Sequence, residues 1–341
     1  MPKSLLLLFI AIVLVYLATQ NTYYQGPSIQ NFTGKKFIDP NNPYANSFLD
    51  FLKWQLTKTN KPWPEKIPLK LTATPLNSIT DNKVHITYVG HACFLIQINN
   101  TNILTDPIWS DRASPFSFIG PKRVIDPGIK FDDLPNIDIV LISHNHYDHL
   151  DLPTINRLWK KFQPKIITPL GNDTIIKKIN KNIKVTTKNW HEKVIINNNI
   201  SINVEPVQHW SARGLFDKNH ALWSGFLIET KSNGNIYFAG DTGYSNYFKQ
   251  TKQKFKTINL AILPIGAYKP RWFMQHAHMN PQDAIQASKD LGSPLTIPSH
   301  FDVFPLADED YLEARITLEK NLKKSNLNNF KILDVGQTVF K

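Results

Sequence analysis

Four potential metal ligands in one short segment constrain the fold more than any other feature of the sequence. His144, His146, Asp148 and His149 directly follow the apolar run Ile139–Ile142, which predicts a buried strand. A loop at the end of such a strand can fold these side chains around one point. Zinc takes imidazole nitrogen and carboxylate oxygen, and this segment supplies both. The spacing therefore predicts a metal site rather than a set of structural histidines.

The rest of the chain alternates strand-like and helix-like segments. Most predicted strands are short and β-branched, and they are Val84–Val89, Cys93–Ile98, Asn102–Thr105, Ile137–Ser143, Lys165–Thr168, Ile200–Val207, Gly225–Glu229, Ile236–Ala239, Leu260–Pro264 and Leu295–Pro298. The predicted helices are Ala45–Thr57, Leu152–Phe162, Pro281–Leu291 and Asp308–Lys324. Hairpins followed by alternating helices and strands predict an α/β fold with two packed sheets and helices outside. We expect residues 21–80 to form an extension that packs on a catalytic domain of residues 81–341.

The segment from Ser143 to Asp151 resembles the H-x-H-x-D-H signature of the metallo-β-lactamase superfamily. Further motifs resemble one branch of it, N-acyl-phosphatidylethanolamine-hydrolysing phospholipase D and its bacterial relatives. They are YVGHA at 88–92, LTDPI at 104–108, GPKR at 120–123, QHWS at 208–211, AGDTGY at 239–244 and PIGAYKPRWFM at 264–274. The resemblance implies a four-layer αββα metallo-β-lactamase sandwich, made of two mixed sheets with outer helices.

The same resemblance implies a ligand set for two metal ions. One ion would be held by His144, His146 and His209, the other by Asp148, His149 and His300, with Asp241 as the bridge. The later ligands each follow a predicted strand, so all seven side chains are expected at one edge of the sheets. Because a Glu in place of His146 accompanies di-iron redox members, the motif favours two Zn²⁺ per chain and hydrolysis. Iron and manganese stay open because they accept the same ligand types.

Hydrolysis by two metals is the expected chemistry. Two ions about 3.5 to 4 Å apart would share a hydroxide that attacks in line while the ions bear the developing charge. The predicted catalytic residues are Asp148, Asp241 and His278, and the resemblance places His278 near the metals, in contact with phosphate or the leaving group. His91 and Asp106 are interpreted as residues that orient the metal ligands.

Aromatic and basic residues in the predicted loops favour a lipid substrate. The candidate substrate contacts are Tyr147, Lys122, Arg123, Tyr268, Trp272 and Phe273. Together with the resemblance they predict a phospholipase D-type phosphodiesterase that acts on (N-acyl) phosphatidylethanolamine or a related glycerophospholipid. A soluble-substrate metallo-hydrolase, either a lactonase or a cyclic-phosphate diesterase, is the open alternative.

Two further classes of function are disfavoured. A nuclease would require an extra domain between His209 and His300, where the residues are already assigned, so no nucleic-acid partner is expected. A non-catalytic metal-binding module is disfavoured because all seven ligands are present.

Charge and the N-terminus point to a membrane surface. Lys and Arg outnumber Asp and Glu by 39 to 27, which gives a net charge of +12. The apolar stretch from Leu5 to Ala18 is short for a membrane span and is typical of a signal peptide or a short anchor. Residues 1–20 therefore predict an exported or membrane-anchored protein, at the periplasmic face of a bacterial membrane. The single cysteine, Cys93, excludes an intrachain disulfide, and a homodimer stays open.

Overall fold

Two mixed β-sheets form the centre of the fold in the residues that the computed structural model describes, which are 23–41, 46–59, 62–81, 83–214 and 216–341. The first sheet contains β1 (Val84–Gly90), β2 (Cys93–Ile98), β3 (Thr101–Thr105), β4 (Ile139–Leu141), β5 (Lys165–Pro169), β6 (Val185–Lys188) and β13 (Thr338–Phe340). Its order is β13-β1-β2-β3-β4-β5-β6. The pairs from β13 to β3 are antiparallel, and those from β3 to β6 are parallel.

The second sheet has the same mixed character. It contains β7 (Lys193–Ile195), β8 (Ile200–Glu205), β9 (Gly225–Thr230), β10 (Ile236–Phe238), β11 (Leu260–Pro264) and β12 (Leu295–Ser299). Its order is β12-β11-β10-β9-β8-β7, with β10, β11 and β12 parallel to one another. The strands β8 and β10 both run antiparallel to β9, so they share the direction of the parallel set.

Helices cover the outer faces of the sheets. They are α1 (Phe48–Thr57), α2 (Leu152–Phe162), α3 (Asn172–Ile179), α4 (Tyr247–Phe255), α5 (Arg271–Met274), α6 (Pro281–Asp290) and α7 (Glu313–Ser325). On the first sheet, α2 and α3 bury Ile155, Leu158 and Ile176 in one cluster with strand residues. On the second sheet, α6 packs against β11 and α7 packs against α6. This arrangement confirms the predicted α/β sandwich of two mixed sheets with outer helices.

Alternation along the strands separates the two apolar layers. In β2, Phe94 and Ile96 belong to the core that also contains residues of the second sheet, whereas Cys93 and Leu95 point into the cluster with α2 and α3. Successive strand residues point to opposite faces, so a strand buried on both sides is largely apolar. The buried polar side chain of β2, Gln97, hydrogen-bonds to the Leu76 carbonyl and to Asn102. Full burial of each such side chain stabilises the fold by roughly 1.5–3 kcal/mol.

The predicted elements all have counterparts, with shifted ends in several cases. The structure adds β6, β7, β13, α3, α4 and α5, which the sequence patterns did not predict. The strands β6, β7 and β13 are edge strands of four, three and three residues, which is too short for an alternating pattern to be recognised in the sequence. The helix α7 begins at Glu313 rather than at Asp308.

Residues of the predicted N-terminal extension contact later parts of the chain. Phe32 and Phe37 are buried in the same apolar cluster as residues of both sheets, and Trp54 of α1 stacks on Phe273 with ring centroids 5.1 Å apart. The Trp63 indole N–H donates to the Glu309 carbonyl at 2.8 Å. The predicted leader or anchor at residues 1–20 lies outside the described residues, and among those that are described no helix has the length and apolar character to cross a membrane.

Candidate metal centre

The H-x-H-x-D-H motif occupies the loop between β4 and α2. After β4 ends, the Ser143 backbone N–H and hydroxyl donate to the two Asp106 oxygens at 2.7 and 2.6 Å. The second sheet approaches the same loop at Gly240, where a Cβ would lie 2.7 Å from Ser143 Cβ and where φ is +61°. Glycine alone fits this backbone conformation without strain. The two sheets can therefore converge at the motif.

All the metal-ligand candidates come from the same edge of the sheets. The motif follows β4, Asp241 follows β10 and His300 follows β12 directly, and these strands each end toward the site. His209 comes after β8, which shares the direction of β10. The side chains meet because the carboxyl ends of similarly directed strands lie at one edge, where loops build sites.

Three imidazole rings converge on one side of the cluster. His146 Nδ1 lies 2.8 Å from His144 Nε2 and 3.3 Å from His209 Nε2. Burial lowers the pKa of all three, to about 3 for His146 and His209, and neighbouring imidazoles add to this effect. The three rings are therefore neutral, which is the form that binds a metal.

Partners outside the cluster fix which nitrogen faces inward. His209 Nδ1 lies 2.9 Å from the Ala277 carbonyl, so this nitrogen carries the proton and Nε2 presents its lone pair to the cluster. Ser143 donates its hydroxyl to Asp106, so His144 Nδ1, at 2.9 Å, donates to the Ser143 oxygen. Both rings are thus held with Nε2 free to bind a cation.

Two carboxylates and two imidazoles form the adjacent group. His149 Nε2 and His300 Nε2 each lie 3.1 Å from Asp148 Oδ2 and 3.1 Å from Asp241 Oδ2. Asp241 Oδ2 is also 3.9 Å from His209 Nε2, so this carboxylate faces both groups. That position is the one expected of a bridging ligand.

Charge is concentrated in this second group. Burial favours the neutral carboxyl forms, but the nearby imidazoles outweigh it and hold the pKa of Asp148 and Asp241 well below the usual range. Burial likewise opposes charge on the imidazoles, yet the carboxylates raise the pKa of His149 well above its ordinary value and that of His300 to about 9. In the chain alone, protons on two imidazoles balance two buried carboxylates.

The side chains of the cluster suit metal ions, which would replace the protons on the imidazoles of His149 and His300. The ligand atoms of His144, His146 and His209 lie within 4.8 Å of one another, as do those of His144, His149 and Asp241. In the part of the chain that the structure describes, Asp241 Oδ1 is buried without a hydrogen-bond partner. An unpaired buried acceptor costs roughly 1–3 kcal/mol, and a bound ion or water would remove that cost. Imidazole nitrogen and carboxylate oxygen are the donors that zinc and similar metals take.

Asp106 and His91 contact the predicted ligands. Asp106 Oδ2 accepts a hydrogen bond from His149 Nδ1 at 2.7 Å, which directs His149 Nε2 to the cluster. His91 Nε2 lies 2.8 Å from Asp148 Oδ2, and the His91 carbonyl accepts the His300 N–H at 2.9 Å. His91 also belongs to the cluster of atoms within 4.8 Å that includes His149 and His300. The hydrogen bond to Asp148 is the contact that the predicted orienting role of His91 requires.

His278 lies beside the centre, next to Asp241 and His209. Its Nδ1 is 3.8 Å from Asp241 Oδ2, and its ring centroid is 5.1 Å from that of His209. Burial lowers the pKa of His278 to about 3, although Asp241 raises it in part. The His278 side chain is 13% exposed, so a neutral and mostly buried imidazole lies beside the predicted bridging carboxylate.

The predicted substrate contacts separate into two groups. Trp272 is 41% exposed, Lys122 is exposed, and Tyr147 and Phe273 are half-buried, so a ligand can reach these four. Tyr268 is buried, with its hydroxyl 3.3 Å from Glu313 and its N–H donated to Glu309.

Arg123 is also buried, and its guanidinium donates to the carbonyls of Ile108 at 2.7 Å and Ser110 at 3.3 Å. Its charged group also packs over the Phe304 ring at 4.7 Å. These placements argue against a direct substrate contact for Tyr268 and Arg123. The basic pair at 122–123 was predicted from charge alone, which does not reveal that one member points into the fold.

Two cations near the centre were not predicted from the sequence. Arg213 donates to the carbonyls of Asn145 and Leu150 in the motif loop. Lys218 lies 5.3 Å from the Trp210 ring centroid, and Trp210 packs edge-on against His146 at 4.3 Å. No periodicity or spacing marks these residues, because their contacts arise only where separate loops approach each other.

The sequence of this region is similar to those of known proteins. Residues 101–301, which include the motif loop and the later ligands, match the family model described as Beta-lactamase superfamily domain. The chain is 39% identical over 267 residues to N-acyl-phosphatidylethanolamine-hydrolyzing phospholipase D 1 of Caenorhabditis elegans, covering 72% of this chain and 73% of that protein. It is 36% identical over 253 residues to the mitochondrial N-acyl-phosphatidylethanolamine-hydrolyzing phospholipase D of Saccharomyces cerevisiae, covering 73% and 54%.

A solved structure shares the fold. Igni18, a metallo hydrolase from the archaeon Ignicoccus hospitalis, superposes with a TM-score of 0.56 and 21% identity, covering 76% of this chain and 98% of that one. At 21% identity, this similarity shows a shared arrangement of strands and helices and nothing further.

Proposed function

Because the chain belongs to the beta-lactamase superfamily and is a metal-dependent hydrolase, we propose that it is a phospholipase D-type phosphodiesterase. Its proposed substrate is an (N-acyl) phosphatidylethanolamine or a related glycerophospholipid, cleaved on the head-group side of the phosphate. The observation that carries this proposal is the identity of 39% and 36% to two proteins named for hydrolysing that lipid. Support comes from the candidate metal centre, where all seven predicted ligands meet.

We propose two Zn²⁺ per chain as the cofactors. His144, His146 and His209 would hold one ion, Asp148, His149 and His300 would hold the other, and Asp241 would contact both. When bound, such a pair supplies an activated water and neutralises charge on the phosphoryl oxygens. Iron and manganese remain alternatives because their ligand preferences overlap with those of zinc.

The chain's own groups orient the reactants in this proposal. Asp148 and Asp241 are ionised, so they hold positive charge at the base of the site. His278 is neutral at pH 7 because burial lowers its pKa, and a neutral imidazole offers an N–H to a phosphate or leaving-group oxygen. Partly exposed Trp210 and Phe273 offer apolar surface for acyl chains, and Trp210 packs against the predicted ligand His146.

A membrane surface is the proposed location of the substrate. Exposed apolar side chains occur on α1 and in the 113–120 loop, and they are Leu49, Phe51, Leu52, Leu56, Phe116, Phe118 and Ile119. With a net charge of +12, they would favour an anionic bilayer. The exported or membrane-anchored location, at the periplasmic face of a bacterial membrane, and the homodimer remain predictions from the sequence.

The proposal is tested with purified, zinc-loaded protein and vesicles that contain N-acyl phosphatidylethanolamine. Phosphatidic acid should form with the wild type and not with Asp241→Ala, and elemental analysis should find two zinc ions per wild-type chain. Removal of metal with a chelator should abolish product formation, and added zinc should restore it. Manganese and iron reconstitution in parallel would identify the metal that supports the highest rate.

One outcome would transfer the assignment to a soluble substrate. If the metal-loaded protein releases no phosphatidic acid but hydrolyses bis-p-nitrophenyl phosphate or a lactone, the lipid proposal is wrong. The hydrolase assignment would stand in that case.

A further inference from the structure

Arg213 joins the two ends of the metal-binding loop. One guanidinium nitrogen donates to the carbonyl of Asn145 at 2.9 Å and to that of Leu150 at 2.8 Å. These two carbonyls bracket residues 146–149, which contribute three of the predicted metal ligands. A single side chain from another loop therefore sets the distance between the ends of this segment.

The contact between Arg213 and the motif loop is reciprocal. The guanidinium carbon lies 3.9 Å from the Tyr147 ring centroid, and the Tyr147 hydroxyl donates to the Arg213 carbonyl at 2.9 Å. Arginine remains charged even where burial lowers its pKa, as it does here. The rigid fork and flat face of the guanidinium suit a position that combines two carbonyl acceptors with an aromatic ring.

Asp217 holds the backbone at Arg213 from the other side. Its carboxylate accepts the N–H groups of Arg213 at 3.1 Å and Gly214 at 2.8 Å. Tyr23, in the N-terminal extension, donates its hydroxyl to the same buried carboxylate at 2.6 Å. The extension also reaches this loop through Phe37, whose N–H donates to the Asn219 carbonyl at 2.7 Å.

We propose that Arg213 is a positioning residue for the metal centre and that the N-terminal extension supports it through Tyr23 and Asp217. The loop between β4 and α2 must hold several ligands at once, and each freely moving residue adds an entropic cost to metal binding. By fixing both ends of the loop, Arg213 removes part of that cost before a metal arrives. This inference rests on the proposed metal centre and is independent of the lipid substrate.

The test compares metal affinity in the full chain and in four variants. Arg213→Met removes the donors, Arg213→Lys keeps the charge without the fork, and Tyr23→Phe removes only the distant hydroxyl. Arg157→Met is the matched control, because Arg157 also stacks on an aromatic ring, Phe131 at 3.8 Å, but lies on the exposed side of α2. Zinc affinity is measured by chelator competition, and amide hydrogen exchange of residues 144–150 is measured in the metal-free proteins.

We expect a graded loss of affinity. Arg213→Met should weaken zinc binding by about 10- to 100-fold, the usual effect of removing a group that supports metal ligands. The zinc affinity of Arg213→Lys should lie between those of this variant and the wild type. Tyr23→Phe should bind zinc a few-fold more weakly than wild type, as expected for the loss of one hydrogen bond. Exchange of residues 144–150 should accelerate in the same order, whereas Arg157→Met should stay within twofold of wild type in both measurements.

Unchanged zinc affinity in the variants would contradict the proposal. A purely structural role would lower the unfolding midpoint of the metal-free protein while the folded protein kept its zinc affinity. If the affinities of Arg213→Met and Tyr23→Phe stay within twofold of wild type, the proposal is wrong. If Arg213→Met does not fold, Arg213→Lys and Tyr23→Phe decide by the same criterion. Absence of lipid turnover in the wild type would count against the proposed substrate and leave these affinity ratios unaffected.

Discussion

The buried carboxylate of Asp106 holds both Ser143 and the candidate metal ligand His149. Asp106 follows β3 directly and accepts three hydrogen bonds, from the Ser143 N–H, the Ser143 hydroxyl and His149 Nδ1. Burial raises the pKa of this carboxyl, but the three donors and the charged His149 favour its ionised form. Asp106 thereby fixes the end of β4 and the ring orientation of His149.

Asp106→Asn should weaken metal binding by about 10- to 100-fold, because the amide cannot accept all three bonds and the support of His149 is lost. Chelator competition gives the affinity, and circular dichroism shows whether the fold persists. Asp111→Asn, an exposed change nearby, is the control and should leave affinity unchanged. Equal affinities for wild type and Asp106→Asn would show that His149 is oriented without this carboxylate.

Among the elements, α6 has the most complete start signal and lies next to the site. Asn280 is its N-cap, Pro281 begins it, and Asp283 completes a capping box. Arg271 joins this start to the preceding turn, with one nitrogen on Asp283 at 2.7 Å and another on the His278 carbonyl at 2.9 Å. The cap therefore stabilises both the helix and the segment that positions His278.

Asn280→Ala should lower the free energy of unfolding by about 1 kcal/mol, because the Asp283 N–H loses its acceptor. Urea unfolding of the metal-free protein measures the change, and Gln282→Ala on the exposed face of the same helix is the control. If both variants unfold at the same urea concentration, the cap contributes nothing measurable.

The start of α7 illustrates a limit of helix signals. The pattern predicts a helix from Asp308, but Asp308 accepts the Trp54 indole N–H at 3.1 Å and Glu309 accepts the Tyr268 N–H. Both carboxylates thus bond to distant parts of the chain, and the helix begins only at Glu313. These tertiary contacts outweigh a local helix propensity of a few tenths of a kcal/mol per residue.

On the scale of the whole molecule, Glu309 links the extension, the segment after β11 and the approach to α7. Its backbone carbonyl accepts from Trp63 and its carboxylate from Tyr268. Burial raises the pKa of this carboxyl from 4.5 to about 7, with a further contribution from Glu313. The folded protein therefore prefers a neutral Glu309 over a pH range in which the unfolded chain ionises it.

Because the folded-state pKa is raised, the stability associated with protonated Glu309 is complete below pH 4.5 and is lost as pH rises through 7. Glu309→Gln mimics the neutral form, so its stability relative to wild type should increase from pH 5 to pH 8, by up to about 3 kcal/mol. Urea unfolding of the metal-free proteins at one-unit pH intervals measures this difference. The other titrating groups are present in both proteins, so their contributions to stability cancel. The exposed control Glu319→Gln should differ from wild type in stability by the same amount at every pH. The same pH-independent result for Glu309→Gln would contradict the raised pKa.

The sequence by itself determined the α/β fold and the motif loop with its four candidate ligands. These features depend on local information, because apolar runs predict strands and short spacing keeps His144, His146, Asp148 and His149 together. The later ligands follow from resemblance and from their places after strands, and their binding of metal stays a prediction.

Only the tertiary structure decided which side chains support the site and which lie inside the fold. It placed Arg213 across the motif loop, buried Arg123 among carbonyls and attached the N-terminal extension to the loop after His209. Such contacts join residues that are distant along the chain, and their energies depend on the burial and geometry produced by packing. A charge or an aromatic ring in the sequence has the same local appearance whether it faces solvent or bridges two loops.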